Sequence, residues 1–413
     1  MTRARRTAGV LMALAALVAA LTAVPSGPSS AAGSCAGFTN RTGVTSTTIT
    51  IANVSDLTGP VPGLGRPALD GVRAFVSYFN ASSSICGRKL RVEALDSKTD
   101  AQGSGAAYST ACSHAFAAVG SWSLFDNGGS WTAQNCGLPD LRSTSASPQR
   151  DDCTTCFGVQ ASQADGFPNA IPDFFLSHHH AASQAVGLLY ANTQPYAAKA
   201  ATMLAAEQER GLSFVYSAGI GVAEFDYAPY VADLKSHGVQ LVQFVGSYQQ
   251  AVRLAQAMQD AAYAPLFQAD PRTYGLKPYV STGGTAVEGT LVPINITPFS
   301  EAAGNTELRR YVTYLRKVHP GAAPSIDGLF AWSAARLFVD RASSLGGHLS
   351  RANLVSSVRG VHAWTDSGAH SSQNVGSKVV GTCWRFLQLT SGAWTPVGGT
   401  AYSCTGRTVV PTP

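Results

Sequence analysis

Thr48-Ile-Thr-Ile-Ala-Asn-Val54, the glycine- and proline-rich residues 56–65, and the run opened by Pro67 decide how the rest of the chain is read. Ile49 and Ile51 alternate with polar positions, which predicts a strand with one apolar face. Pro67 sits where a first helical turn tolerates a missing N–H. Leu69, Val72, Val76 and Phe79 then recur at i, i+3, i+7 and i+10, one apolar helix face. The unit is strand, loop, helix. It repeats outward from there. Leu90, Val92 and Ala94 alternate as a second strand, and residues 106–118 read as a helix leading into Val119-Gly120 and a polar loop of Ser, Trp and Gly. Strands are expected over 185–190, 214–216, 239–245 and 266–269, and helices over 196–210, 229–237, 249–263, 306–318 and 326–343. Gly211 and Gly238 stop two of these helices, and a β-hairpin is expected around Ser391-Gly392.

Strand–helix alternation over 413 residues predicts an α/β protein with parallel sheets covered by helices, more naturally two lobes than one large sheet. Ligands of such folds bind beyond the carboxyl ends of the strands. The loops 56–66, 121–130 and 142–148 occupy such places, with Trp122, Trp131, Tyr248 and Tyr274 in or beside them. Aromatic residues there either wall a small-ligand site or pack between lobes; packing is the expectation for Trp131, and both readings stand for Trp122 and Tyr248.

Charge excludes one class of partner. Lys and Arg number 29 against 24 Asp and Glu, a formal +5. Arg3, Arg5 and Arg6 precede an apolar run from Val10 to Val24 that is interrupted only by Thr22. Residues 25–30 lead to Ser30-Ala31-Ala32, a small-residue cleavage signal. Residues 1–32 thus read as a signal peptide cleaved near Ala32, since the run is short of the roughly 20 residues of a membrane span. The remaining chain carries 26 basic and 24 acidic residues, a scattered +2 that gives no electrostatic footprint for nucleic acid. Lipid attachment at Cys35 is disfavoured, because Cys35 lies ten residues past the apolar run; a soluble, secreted, cell-envelope-associated protein is expected.

All eight cysteines lie beyond that cleavage point, in a chain bound for an oxidising compartment. Eight allow 105 pairings. The simplest joins sequence neighbours: Cys35–Cys86, Cys112–Cys136, Cys153–Cys156 and Cys383–Cys404. A redox or zinc role for Cys153-Thr-Thr-Cys156, with His178, His179 and His180, is the sharper alternative. The gap to the histidines is too long for a compact finger, and no metal is expected.

Catalytic motifs are thin. Gly63-Leu64-Gly65-Arg66-Pro67-Ala68 has the G-x-G-x-x-A form of a dinucleotide fingerprint. Its glycines stand well past the strand end, however, and Pro67 removes an amide that could face phosphate. A glycine loop approaching another ligand is the plainer reading, and no cofactor is expected. No Gly-x-Ser-x-Gly elbow and no His-Glu-x-x-His pair occurs. An enzyme, such as a secreted α/β hydrolase, has no specific residue behind it.

Three stretches carry a family likeness: Ile49-Thr-Ile-Ala-Asn-Val-Ser-Asp-Leu-Thr-Gly-Pro60, then residues 68–80 with Cys86-Gly-Arg-Lys-Leu90, then Val119-Gly-Ser-Trp-Ser123. In order and interval they resemble the type I solute-binding proteins of ABC transporters, specifically the branched-chain amino acid (Leu/Ile/Val) branch. The resemblance runs from about residue 44 to 397. It implies two Rossmann-like lobes joined by three crossovers, 44–160 with 285–380 and 161–284 with 381–413. It also implies hinge closure on a small molecule, delivery to a membrane permease, a monomer, and no chemistry. An extracellular ligand sensor is the competing binding role.

Carried over by position, the family's carboxylate-binding segment falls on Ser121, Trp122 and Ser123, and the following Ser/Thr segment on Ser143, Thr144 and Ser145. Its second-lobe tyrosine is matched by Tyr196 with a one-residue shift, its aromatic loop by Ser247 and Tyr248, and its amine-binding acid by Asp270. Leu64 stands where amino-acid binders often carry an aromatic residue. Trp122 is bulkier than the family's usual residue, and Asp126 and Arg142 add charge near the mouth, so another small polar or aromatic solute fits as well.

Overall fold

The computed structural model describes residues 33–411 apart from 61, 62, 146 and 162. The expected signal peptide lies outside the described residues. The first sheet holds β1 (Thr48–Ser55), β2 (Lys89–Asp96), β3 (Ala117–Val119), β4 (Asp140–Thr144) and β5 (Cys156–Gln160) in the order β2-β1-β3-β4-β5. All four pairings are parallel. β1 is an interior strand, between β2 and β3, and is buried on both faces, not one, because helices cover both sides of a parallel sheet. The Arg66–Ser82 helix buries Leu69, Val72, Val76 and Phe79 as the spacing predicts.

A short β6 (Gly166–Pro168) precedes the second sheet, built from β7 (Val186–Ala191), β8 (Phe214–Ile220), β9 (Leu241–Val245), β10 (Leu266–Gln268), β11 (Leu291–Ile294), β12 (Cys383–Thr390) and β13 (Ala393–Val397). Their order is β13-β12-β11-β10-β9-β7-β8. β7 to β11 pair in parallel, and the hairpin β12–β13 adds antiparallel strands at one edge. β14 (Ser403–Cys404) pairs with β12, and β15 (Arg407–Val409) with β6. Both sheets belong to one compact unit.

Two differences from the sequence reading have physical causes. The helix expected over 106–118 runs Ala101–His114, and Ala117 and Ala118 instead pair with Ile51 and Ala52 in the sheet. An alanine-rich run carries little periodicity to separate the two states. β4 falls in the expected loop 142–148, because Asp140-Leu-Arg-Ser-Thr144 looks polar yet is buried throughout. Inside it, Asp140 accepts hydrogen bonds from Tyr108 Oη (2.7 Å) and Arg150 (2.5 Å), and Arg142 donates to Tyr108 Oη (2.7 Å) and Ser123 Oγ (2.9 Å). The charges are paired internally, with Asp140 Oδ1 and one Arg150 Nη left without a hydrogen-bond partner among the described residues.

The two sheets are linked by three adjacent crossovers. Gly381 N–H donates to Ala161 O, Ala161 N–H to the Gln373 side chain, and Ser371 N–H to Asn295 O. The Gln160 side-chain amide donates to Asn295 Oδ1 (3.3 Å). This is the three-crossover, two-lobed α/β architecture that the family resemblance implies. β11 pairs with β10 and β12, so the middle crossover follows residue 294 and not 284. The strand 291–294 therefore sits in the second sheet, on the far side of the boundary read from sequence.

The four cysteine pairs of sequence neighbours are the four disulfides present, with Cα–Cα separations of 5.5, 6.0, 5.4 and 4.1 Å in chain order. Cys35 is bonded to Cys86, so its sulfur is committed to a disulfide.

Candidate functional site

The loops at the carboxyl ends of the first sheet are organised by Asp56. Its carboxylate accepts hydrogen bonds from Leu124 N–H (2.8 Å), Ser97 Oγ (2.5 Å) and Thr99 N–H (3.2 Å), which ties the ends of β1, β2 and β3 together. Burial pushes the Asp56 carboxyl up despite these donors. Gly65 turns the glycine loop back against this hub. Its N–H donates to Asp56 O (2.8 Å), and a Cβ there would lie 2.6 Å from Asp56 N and 2.9 Å from Trp122 O. Gly120, at φ +62°, makes the turn that sends the chain from β3 into Ser121-Trp122-Ser123. Gly65 of the G-x-G-x-x-A stretch is thus a close-packing position, whereas a Cβ at Gly63 would meet open space among the described residues.

Most of the first-lobe hydroxyls picked from sequence serve the framework. Ser121 Oγ accepts from Val54 N–H (3.0 Å), and Ser121 O accepts from Ser143. Ser123 Oγ accepts from Arg142, and Thr144 Oγ1 donates to Gln160. Ser145 is buried just past β4. Leu64 is half-buried and packs on the main core. Arg142, expected as a charge at the mouth, is fully buried, and the Trp131 side chain, expected to pack, is half exposed. Trp122 is buried with its ring facing the cleft, where the Arg272 guanidinium lies 5.6 Å from the ring centroid.

Arg272 belongs to the other lobe, in the turn after β10. Its Nε donates to Asp327 Oδ1 at 3.2 Å, and Asp327 opens the Ile326–Leu345 helix that packs on β4. One arginine therefore spans the cleft. Asp270, two residues before it, accepts from Arg272 N–H (3.0 Å) and from Lys199 Nζ (2.9 Å). Burial pushes the Asp270 carboxyl up, but Lys199 and Arg272 outweigh burial and hold it below the ordinary carboxylate range. Burial pushes Asp327 up more than Arg272 lowers it. Tyr196 and Lys199 share the first turns of the Gln194–Glu209 helix after β7. The Tyr196 hydroxyl is pushed up, first by burial and then by the negative charges of Asp270, Asp327 and Asp56. Those charges come from both lobes, so the carboxyl ends of both sheets converge on one cleft.

The structure brings together Trp122, Tyr196 and Asp270 among the residues singled out from sequence. Ser247 caps the Tyr248–Asp260 helix through Gln250 N–H, and Tyr248 is half-buried against the core. Sequence reading missed Lys199, Arg272 and Asp327. Arg272 was visible as a turn neighbour of Asp270, but nothing local marks Lys199 or Asp327, which come from 71 and 55 residues away.

Two concavities lie elsewhere, one of about 290 Å³ beside Phe174 and Arg385 and one of about 430 Å³ beside Arg351. Neither includes a cleft residue. Among the described residues, no group of His, Cys, Asp or Glu is arranged to hold a metal ion, and no helix is long and apolar enough to cross a membrane. The His178 ring stacks on Phe174 at 4.8 Å.

A profile described as periplasmic binding protein matches residues 48–393, and the chain belongs to that family. A leucine-binding protein, LivK, from Thermotoga maritima superposes with a TM-score of 0.72 at 13% identity, covering 85% of this chain and 98% of its own. A fatty acid ABC transporter substrate-binding protein from Thermomonospora curvata gives 0.73 at 16% identity, with 89% and 95% covered. An ABC transporter solute-binding protein from R. palustris in complex with 4-hydroxybenzoate gives 0.70 at 13% identity, with 86% and 97% covered. A search of curated proteins finds no match. The family binds solutes and is not a family of enzymes.

Proposed function

We propose that this chain is the exported solute-binding protein of an ABC importer, which captures a small polar solute, an amino acid or a related compound, in the inter-lobe cleft. The observation that carries this reading is the convergence of Trp122 and Asp327 from one lobe on Tyr196, Asp270 and Arg272 from the other. A site assembled from two lobes is complete only when they close, so a ligand touching both favours the closed state. The three crossovers supply the hinge, and the closed protein presents its cargo to a membrane permease. The solutes named for the three similar structures support a small organic molecule, and all three carry a carboxylate. In this reading Leu64, Ser145 and Tyr248 flank the approach, with Ser121, Ser123, Thr144 and Ser247 holding the loops that bear them.

A thermal-shift and native mass spectrometry screen against amino acids, amides, aromatic acids and short peptides tests this reading. A ligand held only by the native closed state raises the melting temperature by mass action, and small-angle scattering at saturation should show compaction. A ligand that binds with no compaction refutes closure.

A further inference from the structure

We propose that the second-lobe wall of this cleft reads an anionic head group, a carboxylate, through Lys199 and Arg272, and that Asp270 positions these two cations instead of receiving a ligand ammonium. The proposal rests on the small-solute reading above and names the chemistry of that site. Accessibility is the first ground. The Asp270 side chain is 2% exposed, whereas those of Lys199 and Arg272 are 40% and 30% exposed. What an incoming molecule meets is positive.

Hydrogen-bond capacity is the second ground. Both Asp270 oxygens already accept, Oδ2 from Lys199 and Oδ1 from Arg272 N–H, with the Arg272 guanidinium a further 3.8 Å from Oδ1. The Lys199 ammonium has three donors and uses one, and the Arg272 guanidinium has five and uses one, on Asp327, among the described residues. Asp270 has acceptor sites left over but they are buried, so the unfilled valence that an incoming molecule can reach is donor valence, which a carboxylate satisfies and an ammonium does not. To bind Asp270, an ammonium would displace Lys199 or join it, leaving three cations around one carboxylate.

Orientation is the third ground. Arg272 is fixed between the Asp327 carboxylate and the face of Trp122. A guanidinium held at one edge and lying over the face of a ring presents its remaining N–H groups as a preformed fork, the geometry that takes a carboxylate on two bonds. Trp122, bulkier than the residue expected at its position, is therefore the platform under the fork.

Two matched series test the proposal by calorimetric titration: L-leucine, 4-methylpentanoate and 3-methylbutylamine, and L-phenylalanine, 3-phenylpropanoate and 2-phenylethylamine. The deaminated acids should bind the wild-type protein no more weakly than the amino acids and at least about tenfold more tightly than the amines. Lys199→Gln and Arg272→Gln should each weaken acid binding about tenfold or more, and Asp270→Asn should weaken it less than either. Circular dichroism and melting of each variant check its fold. If Arg272→Gln fails to fold with Asp327 left unpaired, the more exposed Lys199→Gln carries the test alone. Amines or amino acids that bind while the deaminated acids do not, or acid binding indifferent to Lys199→Gln, overturns the proposal and leaves solute binding intact. No binding by any of the six to the wild-type protein counts instead against the small-solute reading.

Discussion

Glu207 lies near the end of the helix that carries Tyr196 and Lys199, and its side chain faces the second sheet with no exposure to solvent. Neither oxygen has a close hydrogen-bond partner among the described residues, and a weak interaction with the Gln243 side chain offsets burial only in part. Burial therefore disfavours the charged form and pushes the carboxyl up to about 8, from about 4.3 in an unfolded chain. The sign follows directly. Between those two values the folded protein keeps a proton that the unfolded chain has released, so the contribution of Glu207 to stability is greatest below about pH 4.3 and declines as pH rises toward 8. At about 1.36 kcal/mol per pH unit, and with the decline setting in gradually, the loss from pH 5 to pH 8 is on the order of 3 kcal/mol. Glu207→Gln keeps the shape and removes the proton. Measured by urea unfolding at pH 5, 6, 7 and 8, the variant should gain on the wild type by roughly that amount across the series. Carbon-13 shifts of labelled glutamate should place one titration near pH 8 in the wild-type protein only. Parallel stability curves for the two proteins would refute the argument that Glu207 is buried as the neutral acid.

Gly65→Ala places a Cβ 2.6 Å from a backbone nitrogen, which only a backbone shift relieves. It should cost roughly 1–3 kcal/mol in urea unfolding and weaken solute binding by displacing the Trp122 loop; unchanged stability and affinity refute that packing. Asp140→Asn leaves the fully buried Arg150 without its counter-ion, and should destabilise by about 3–5 kcal/mol in the same assay. Replacing Cys112 and Cys136 together by Ala opens a link of 24 residues, and should cost about 3 kcal/mol. A non-reducing peptide map of the wild-type protein should return four linked pairs and no free thiol.

The strand and helix order was legible in the sequence because it is a local property. Apolar spacing, a first-turn proline and stop glycines act within a few residues, so the Thr306–Val318 helix starts and ends where its pattern does. The disulfides follow the simplest of the 105 possible pairings, each cysteine meeting its sequence neighbour, although the sequence alone did not choose among them. β4 was not legible. Its Arg142 reads as a charge near the mouth until Tyr108 and Ser123, from elsewhere in the chain, accept its hydrogen bonds in the interior. The same holds for the cleft. Asp270 could be picked out at a strand end, but its environment depends on Lys199 and Asp327, which no local pattern connects to it. Secondary structure follows from short-range periodicity, which one stretch of chain contains. The ionic character of the binding wall follows from which distant charges the two lobes bring within hydrogen-bonding distance, and only the tertiary structure decides that.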